Sequence, residues 1–163
     1  GLANYVEGTG RGPFESASVR IGPSGKIVVT TGATAQGQGT KTMLAQVVGG
    51  VLGVRPADIH VIDGDTDASP LGFGAFASRQ AVTAGNAAFL AARMVADKAK
   101  KTVASLLEVA LEDLDLVDGR IQVKGVPDMK RSLGDVAKIR PGIEALGLGP
   151  VTIRDLEGRE AAP

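Results

Sequence analysis

The sequence predicts an α+β fold in which helices pack on a mixed sheet. Three observations carry that expectation. β-branched runs recur at 17–21, 26–31 and 59–62, apolar residues repeat at helical spacing between and after them, and two glycine-rich turns stand where a strand would hand over to a helix. The resulting order, β-β-α-β-α-β-β-α, departs from the regular alternation of a doubly wound parallel sheet, so a mixed sheet is expected.

Each element has its own local reason. Residues 1–15 are glycine-rich, with Gly8-Thr9-Gly10-Arg11-Gly12-Pro13 at their centre, and read as an irregular lead-in. Ala17-Ser18-Val19-Arg20-Ile21 and Lys26-Ile27-Val28-Val29-Thr30-Thr31 flank Pro23-Ser24-Gly25, a hairpin signal. Leu44, Val47, Val48, Val51 and Leu52 share one helical face that Gly53 ends. Ile59-His60-Val61-Ile62 reads as a short, largely buried strand. A long alanine-rich helix is expected from about Arg79 to Ala110, with Val82, Phe89, Met94, Val95, Val103, Leu106 and Leu107 as its apolar contacts. Gly85-Asn86 should bend its first turn or delay its start. Asp118-Gly119 between two short apolar runs predicts a hairpin with a type I′ turn. Ser132, three residues before Asp135, should cap a short helix over 133–139. Residues 1–139 thus read as one domain, and the Gly/Pro-rich stretch 140–163 as a mobile tail without a core of its own.

Composition excludes more than it selects. The 163 residues carry 18 Lys+Arg against 18 Asp+Glu, so no net charge draws the chain to nucleic acid or to an anionic membrane. Aromatics at 3% leave no stacking platform for single strands. No apolar run approaches a membrane span, and no signal segment opens the chain. The absence of cysteine rules out disulfides, thiolate ligands and cysteine nucleophiles here, and a reducing, cytoplasmic setting is expected. A first residue of Gly rather than Met reads as a piece of something longer, either an excised domain or a processed subunit.

The chemistry therefore concentrates in the two glycine turns, Ala35-Gln36-Gly37-Gln38-Gly39-Thr40-Lys41-Thr42 and Gly72-Phe73-Gly74-Ala75-Phe76-Ala77-Ser78-Arg79-Gln80. Glycine lets backbone N–H groups approach a ligand, and a helix N-terminus adds unpaired donors and a positive dipole end. Neither turn is a nucleotide motif: Gln38 stands where a phosphate loop needs its lysine, and the third glycine of a dinucleotide fingerprint is missing. The Gln38 carboxamide both donates and accepts, which suits a heterocycle edge or an oxo atom better than a phosphate charge. An ordinary strand-to-helix turn and an N-cap role for Ser78 remain open beside these readings. His60, the one histidine, reads as a strand residue rather than a ligand. Asp63-Gly64-Asp65-Thr66-Asp67 lacks the glutamate of a calcium loop and reads as a polar turn that could line a ligand. No residue is assigned a catalytic or metal-ligating role, because no pair of carboxylates presents itself as acid and base.

Five segments in order resemble the molybdenum-binding large chain of the xanthine dehydrogenase/aldehyde oxidase family, which includes carbon monoxide and aldehyde dehydrogenases. They are Tyr5-Val6-Glu7-Gly8-Thr9-Gly10 with Gly12-Pro13-Phe14-Glu15, Gln36-Gly37-Gln38-Gly39-Thr40, Val54-Arg55-Pro56-Ala57-Asp58-Ile59, Gly64-Asp65-Thr66-Asp67-Ala68-Ser69-Pro70, and Phe76-Ala77-Ser78-Arg79-Gln80 through Gly85-Asn86. The likeness covers about residues 1–125. It implies that residues 1–139 are a fragment of a molybdopterin-binding domain. Gly37, Gln38 and Gly39 would then meet the molybdopterin, with Gln38 near the molybdenum's apical oxo ligand. Ala77, Ser78, Arg79 and Gln80 would hold the pterin and its pyrophosphate, often a cytosine dinucleotide.

The family's catalytic glutamate lies in a later Gly-Glu segment with no counterpart here; Glu157-Gly158 and Glu160 do not replace it. The resemblance therefore implies a cofactor wall that is inactive alone. Its partners would be the remainder of the large subunit, an iron–sulfur subunit, a flavin subunit and a small aldehyde or N-heterocyclic substrate. Apolar surface left bare in a fragment would also favour self-association. The alternative is a non-catalytic binding or assembly module that kept the fold.

Overall fold

A computed structural model of the chain describes residues 1–69 and 71–139. The segment expected to be a tail, 140–163, lies outside the described residues.

A three-stranded mixed sheet is the centre of the molecule. Strands β1 (Ala17–Ile21) and β2 (Ile27–Thr31) form the expected antiparallel hairpin, in register from Ala17 opposite Thr31 to Ile21 opposite Ile27. Helix α1 (Thr40–Leu52) then carries the chain back to β3 (Ile59–Asp63), which pairs parallel to β2 from Ile27 beside Ile59 to Thr31 beside Asp63. Helix α1 buries Leu44, Val48 and Leu52, the heart of its predicted face, and ends at Gly53, whose φ of 65° turns the chain out. Strand β3 is only half buried. Ile59 and Val61 face the core and His60 is exposed, as the alternation of a one-sided strand requires.

Helix α2 (Gln80–Leu107) runs 28 residues without interruption at Gly85-Asn86. The bend expected there does not form. Gly85 faces inward, where an added Cβ would stand 3.5 Å from the Met43 sulfur of α1, an ordinary van der Waals contact. The expected apolar contacts hold in part: Val103 is fully buried, and Val95 and Leu107 pack half-buried against the core. The buried face is Ala84, Gly85, Ala88, Ala91, Ala92, Ala96, Ala99, Thr102 and Val103, whereas Phe89 is 39% exposed, Met94 36% and Leu106 47%. Helix α2 contacts both α1 and β1, and a small-residue face lets a backbone approach two neighbours at once. Of the large side chains expected inside, only Val103 is fully buried.

A second sheet follows. Strands β4 (Leu114–Val117) and β5 (Arg120–Val123) form the hairpin expected of Asp118-Gly119, with φ of 48° and 66° at the two turn residues, as a type I′ turn demands. Strand β6 (Val126–Ser132) pairs antiparallel to β5 and was not legible in advance. Its residues Val126-Pro127-Asp128-Met129-Lys130-Arg131 are all exposed, and an edge strand of proline and charges carries no alternation to read. Helix α3 (Leu133–Lys138) is capped as expected, the Ser132 hydroxyl accepting the Asp135 N–H at 3.0 Å.

Among the described residues no helix is long and apolar enough to cross a membrane.

The alanine face makes a prediction that inverts the usual weight of residue size. Ala92→Leu should destabilise the chain by about 1–3 kcal/mol through overpacking. Met94→Ala, on the exposed side, should change stability by less than about 0.5 kcal/mol. Urea unfolding of both variants checks the contrast.

Candidate functional site

The parallel pairing of β2 with β3 decides where the glycine turns meet. Both strands point the same way, so the segments leaving their carboxyl ends emerge together, a place where open sheets commonly bind ligands. The first segment leads through Gly37-Gln38-Gly39 into α1, and the second through residues 64–79 into α2.

The two turns are joined by carboxamides. Gln38 Nε2 donates to Gln80 Oε1 at 3.0 Å, and the Thr40 hydroxyl donates to the same oxygen. Gln80 Nε2 in turn donates to the Thr34 carbonyl at 2.8 Å. The structure thus brings Gln38 and Gln80 together across 42 positions of sequence. Their roles divide. Gln80 is buried and its oxygen is filled, so it fastens one turn to the other. Gln38 is exposed and Nε2 carries two protons, one of which goes to Gln80, so a second donor points outward.

Gly37 (φ 97°) and Gly39 (φ 79°, the residue capping α1) hold left-handed conformations that other residues resist. A Cβ at either position, or at Gly74, would meet nothing within 4 Å. The turns therefore face open space. Neither α1 nor α2 has a side-chain cap or an acidic residue in its first turn, so both N-terminal dipole ends remain available to an anionic, oxygen-rich ligand.

Ala77-Ser78-Arg79 differs from what its residue types suggest. Ala77 and Ser78 are consecutive left-handed residues, φ 50° and 47°, although neither is glycine. Ser78 does not cap α2. Its hydroxyl donates to Glu7 Oε2 at 2.8 Å, and its carbonyl accepts the Gly10 N–H at 3.3 Å. The Arg79 side chain is fully buried and turns away from the open face. Its Nε donates to the Arg11 carbonyl (3.1 Å), Nη1 to Glu15 Oε1 and the Gly74 carbonyl (2.9 Å), and Nη2 to the carbonyls of Pro13 and Phe14 (3.0 Å to the latter). A guanidinium has five N–H donors, so none is left for a ligand. The Phe76 ring lies 4.9 Å below its carbon, adding a cation–π contact. The Arg79 side chain is thus a buried anchor of the turn, with no donor left on its open face.

Several residues of the site escaped sequence reasoning. Glu15 is buried, and besides Arg79 its Oε1 accepts the Phe73 and Gly74 N–H groups at 3.1 Å each. Its only sequence signal was its place in the lead-in motif. Gly32 and Gly72 cross backbone to backbone: a Cβ on Gly32 would fall 2.1 Å from the Leu71 carbonyl oxygen, and one on Gly72 would fall 2.2 Å from that of Gly32. Asp63, at the end of β3, holds the first turn, accepting the Ala35 N–H at 3.0 Å and pairing with Lys41 Nζ at 2.7 Å. Burial alone would raise its pKa, but the Lys41 ammonium and the backbone donors outweigh burial and hold the carboxyl below its ordinary value. Asp65 behaves as the expected polar turn, its Oδ1 accepting the N–H groups of Asp67 (3.0 Å) and Ala68 (3.2 Å).

Two predictions follow the geometry. Gly32→Ala should destabilise the chain by about 3 kcal/mol or more, because backbone rather than a flexible side chain must yield; thermal unfolding measures it. Asp63 stabilises the fold above its unfolded-state pKa of about 4, and that stabilisation is lost as pH falls through the lower folded-state value. Asp63→Asn should therefore cost about 1 kcal/mol between roughly pH 5 and 7. The difference should shrink as pH falls below about 4 and vanish once the folded-state carboxyl is protonated, which unfolding curves across pH would reveal.

Comparison with known proteins identifies the family. A family model described as molybdopterin cofactor-binding domain matches residues 1–152. The carbon monoxide dehydrogenase large chain of Afipia carboxidovorans is 34% identical over 166 residues, covering 90% of this chain and 20% of that one. The 6-hydroxypseudooxynicotine dehydrogenase complex subunit gamma of Paenarthrobacter nicotinovorans is 38% identical over 140 residues, covering 86% and 18%. The crystal structure of quinoline 2-oxidoreductase from Pseudomonas putida 86 superposes with a TM-score of 0.71 at 40% identity, over 80% of this chain and 16% of that one. The chain spans about a fifth of the length of the curated relatives it matches.

Proposed function

The chain belongs to the molybdopterin cofactor-binding domain family, and we propose that it forms one wall of the cofactor site in the large subunit of a molybdenum hydroxylase. The observation that carries this reading is the fastening of the two glycine turns through Gln38, Gln80 and Thr40 at the carboxyl ends of β2 and β3. Two uncapped helix N-termini then stand beside one outward carboxamide.

The residues present fit such a ligand. Gln38 would hold the cofactor's metal end, where the resemblance places it, with the second Nε2 proton free to donate to an acceptor there. Gly37 and Gly39 let the backbone ahead of α1 come close to a flat, polar ring system. Ala77 and Ser78 present the backbone ahead of α2 to the pterin and its pyrophosphate. Gln80 positions Gln38 rather than touching the ligand, and Arg79 acts behind the turn. When bound, the molybdenum cofactor supplies the redox chemistry, accepting two electrons as a water-derived oxygen is added to an aldehyde or N-heterocycle carbon. This chain's part is to bind and orient. The acid–base group would come from the remainder of the large subunit, and the electrons would leave through an iron–sulfur subunit and a flavin subunit in the cytoplasm.

The cofactor is further proposed to be the cytosine dinucleotide form, since a diphosphate has two helix dipoles to meet. The test is metal and pterin analysis of the parent large subunit purified with its partners, followed by acid hydrolysis and identification of the nucleotide released. Stoichiometric molybdenum and pterin with release of cytidine monophosphate is expected. Gln38→Ala should lower cofactor content about tenfold in folded protein. An assembled complex containing neither metal nor pterin would sink the reading and favour a non-catalytic assembly module.

A further inference from the structure

We propose that Glu15 is a positioning residue for the cofactor-contacting turn, acting through Arg79 to hold Ala77 and Ser78 in their left-handed conformation. The inference rests on the reading of 77–78 as cofactor contacts. It begins with a conformational cost. For a residue with a Cβ the left-handed region is unfavourable, and here two such residues stand in succession. Surroundings must over-determine a backbone of this kind if it is to persist.

Glu15 and Arg79 supply that determination from both sides of the turn. Glu15 Oε1 receives the Phe73 and Gly74 N–H groups at 3.1 Å each, fixing the entrance to the segment. The same oxygen receives Arg79 Nη1, fixing the residue at the exit. Arg79 Nη1 also closes the loop on itself through the Gly74 carbonyl at 2.9 Å. One carboxylate oxygen thus clamps both ends of 73–79, and the residues between can span the gap only by an abrupt reversal. Glu15 Oε2 is buried with no hydrogen-bond partner among the described residues, so the carboxylate is not placed there for its own solvation. A buried group half satisfied is explained by what its satisfied half holds in place.

The deciding experiment uses the assembled parent enzyme carrying Glu15→Gln, alone and combined with Ala77→Gly. Two quantities are read: pterin per folded large subunit, and hydrogen exchange of the amides over 73–80 against those of α1 over 44–52. In Glu15→Gln, pterin content should fall about tenfold, in the range seen when an outer partner of a bound group is lost, and exchange should quicken at 73–80 but not at 44–52. Because glycine takes positive φ without penalty, Ala77→Gly should restore much of the pterin lost through Glu15→Gln. Parental pterin content with unchanged exchange in Glu15→Gln would overturn the inference. So would a uniform rise in exchange across both segments, since that marks a general loss of stability. If Glu15→Gln alone does not accumulate, the double variant is read instead, and its failure to assemble or to regain pterin also counts against the proposal. A parental enzyme without pterin would sink the functional reading, and the exchange pattern would then judge the clamp by itself.

Discussion

A buried ion pair between two segments far apart in sequence organises the site end of this molecule. Arg79 and Glu15 are both fully enclosed, and each is satisfied mainly by backbone. Enclosing two charges costs several kcal/mol per ion, and their attraction repays it only when the remaining hydrogen bonds are good. Here they are good on the arginine side, where every donor is used. The pair ties the irregular lead-in, through the carbonyls of Arg11, Pro13 and Phe14, to the segment that opens at Phe73 and Gly74. Without the lead-in carbonyls of Arg11, Pro13 and Phe14, Arg79 would have to turn outward, and the second turn would lose its shape.

The sheet contributes a different constraint, that of direction. A parallel neighbour can be reached only by a crossover, and α1 is that crossover. The consequence is that both turns leave the same edge of the sheet, at Thr31 and Asp63. Carboxamides and an aspartate then set the finer spacing, Gln80 by bridging the turns and Asp63 by fixing the first turn with its backbone and Lys41 contacts. Such short, directional links suit a surface that must meet a rigid polycyclic ligand.

Several features of the fold were open to inspection in the sequence because they are local. The Pro23-Ser24-Gly25 hairpin, the face of α1, the Asp118-Gly119 turn and the Ser132 cap each depend on residues within a few positions of one another. The family resemblance was equally legible, since its motifs are contiguous. Sequence periodicity misjudged α2 for a physical reason: size suggested that Phe89, Met94 and Leu106 go inside, yet a helix pressed against two neighbours buries alanine. Strand β6 carried no alternation because neither face is covered.

The sequence by itself therefore determined the elements and their order apart from β6, the family, and the two glycine turns. It also singled out Gly37, Gln38 and Gly39, which the structure places in an open turn ahead of α1. Only the tertiary structure decided which polar side chains face outward. Arg79 looks like an anion ligand beside a helix N-terminus, and nothing nearby says otherwise; its five acceptors come from Gly74 and from residues 64 to 68 positions away. Burial and the choice between ligand and anchor are set by such distant pairings, which leave no period or spacing in the chain.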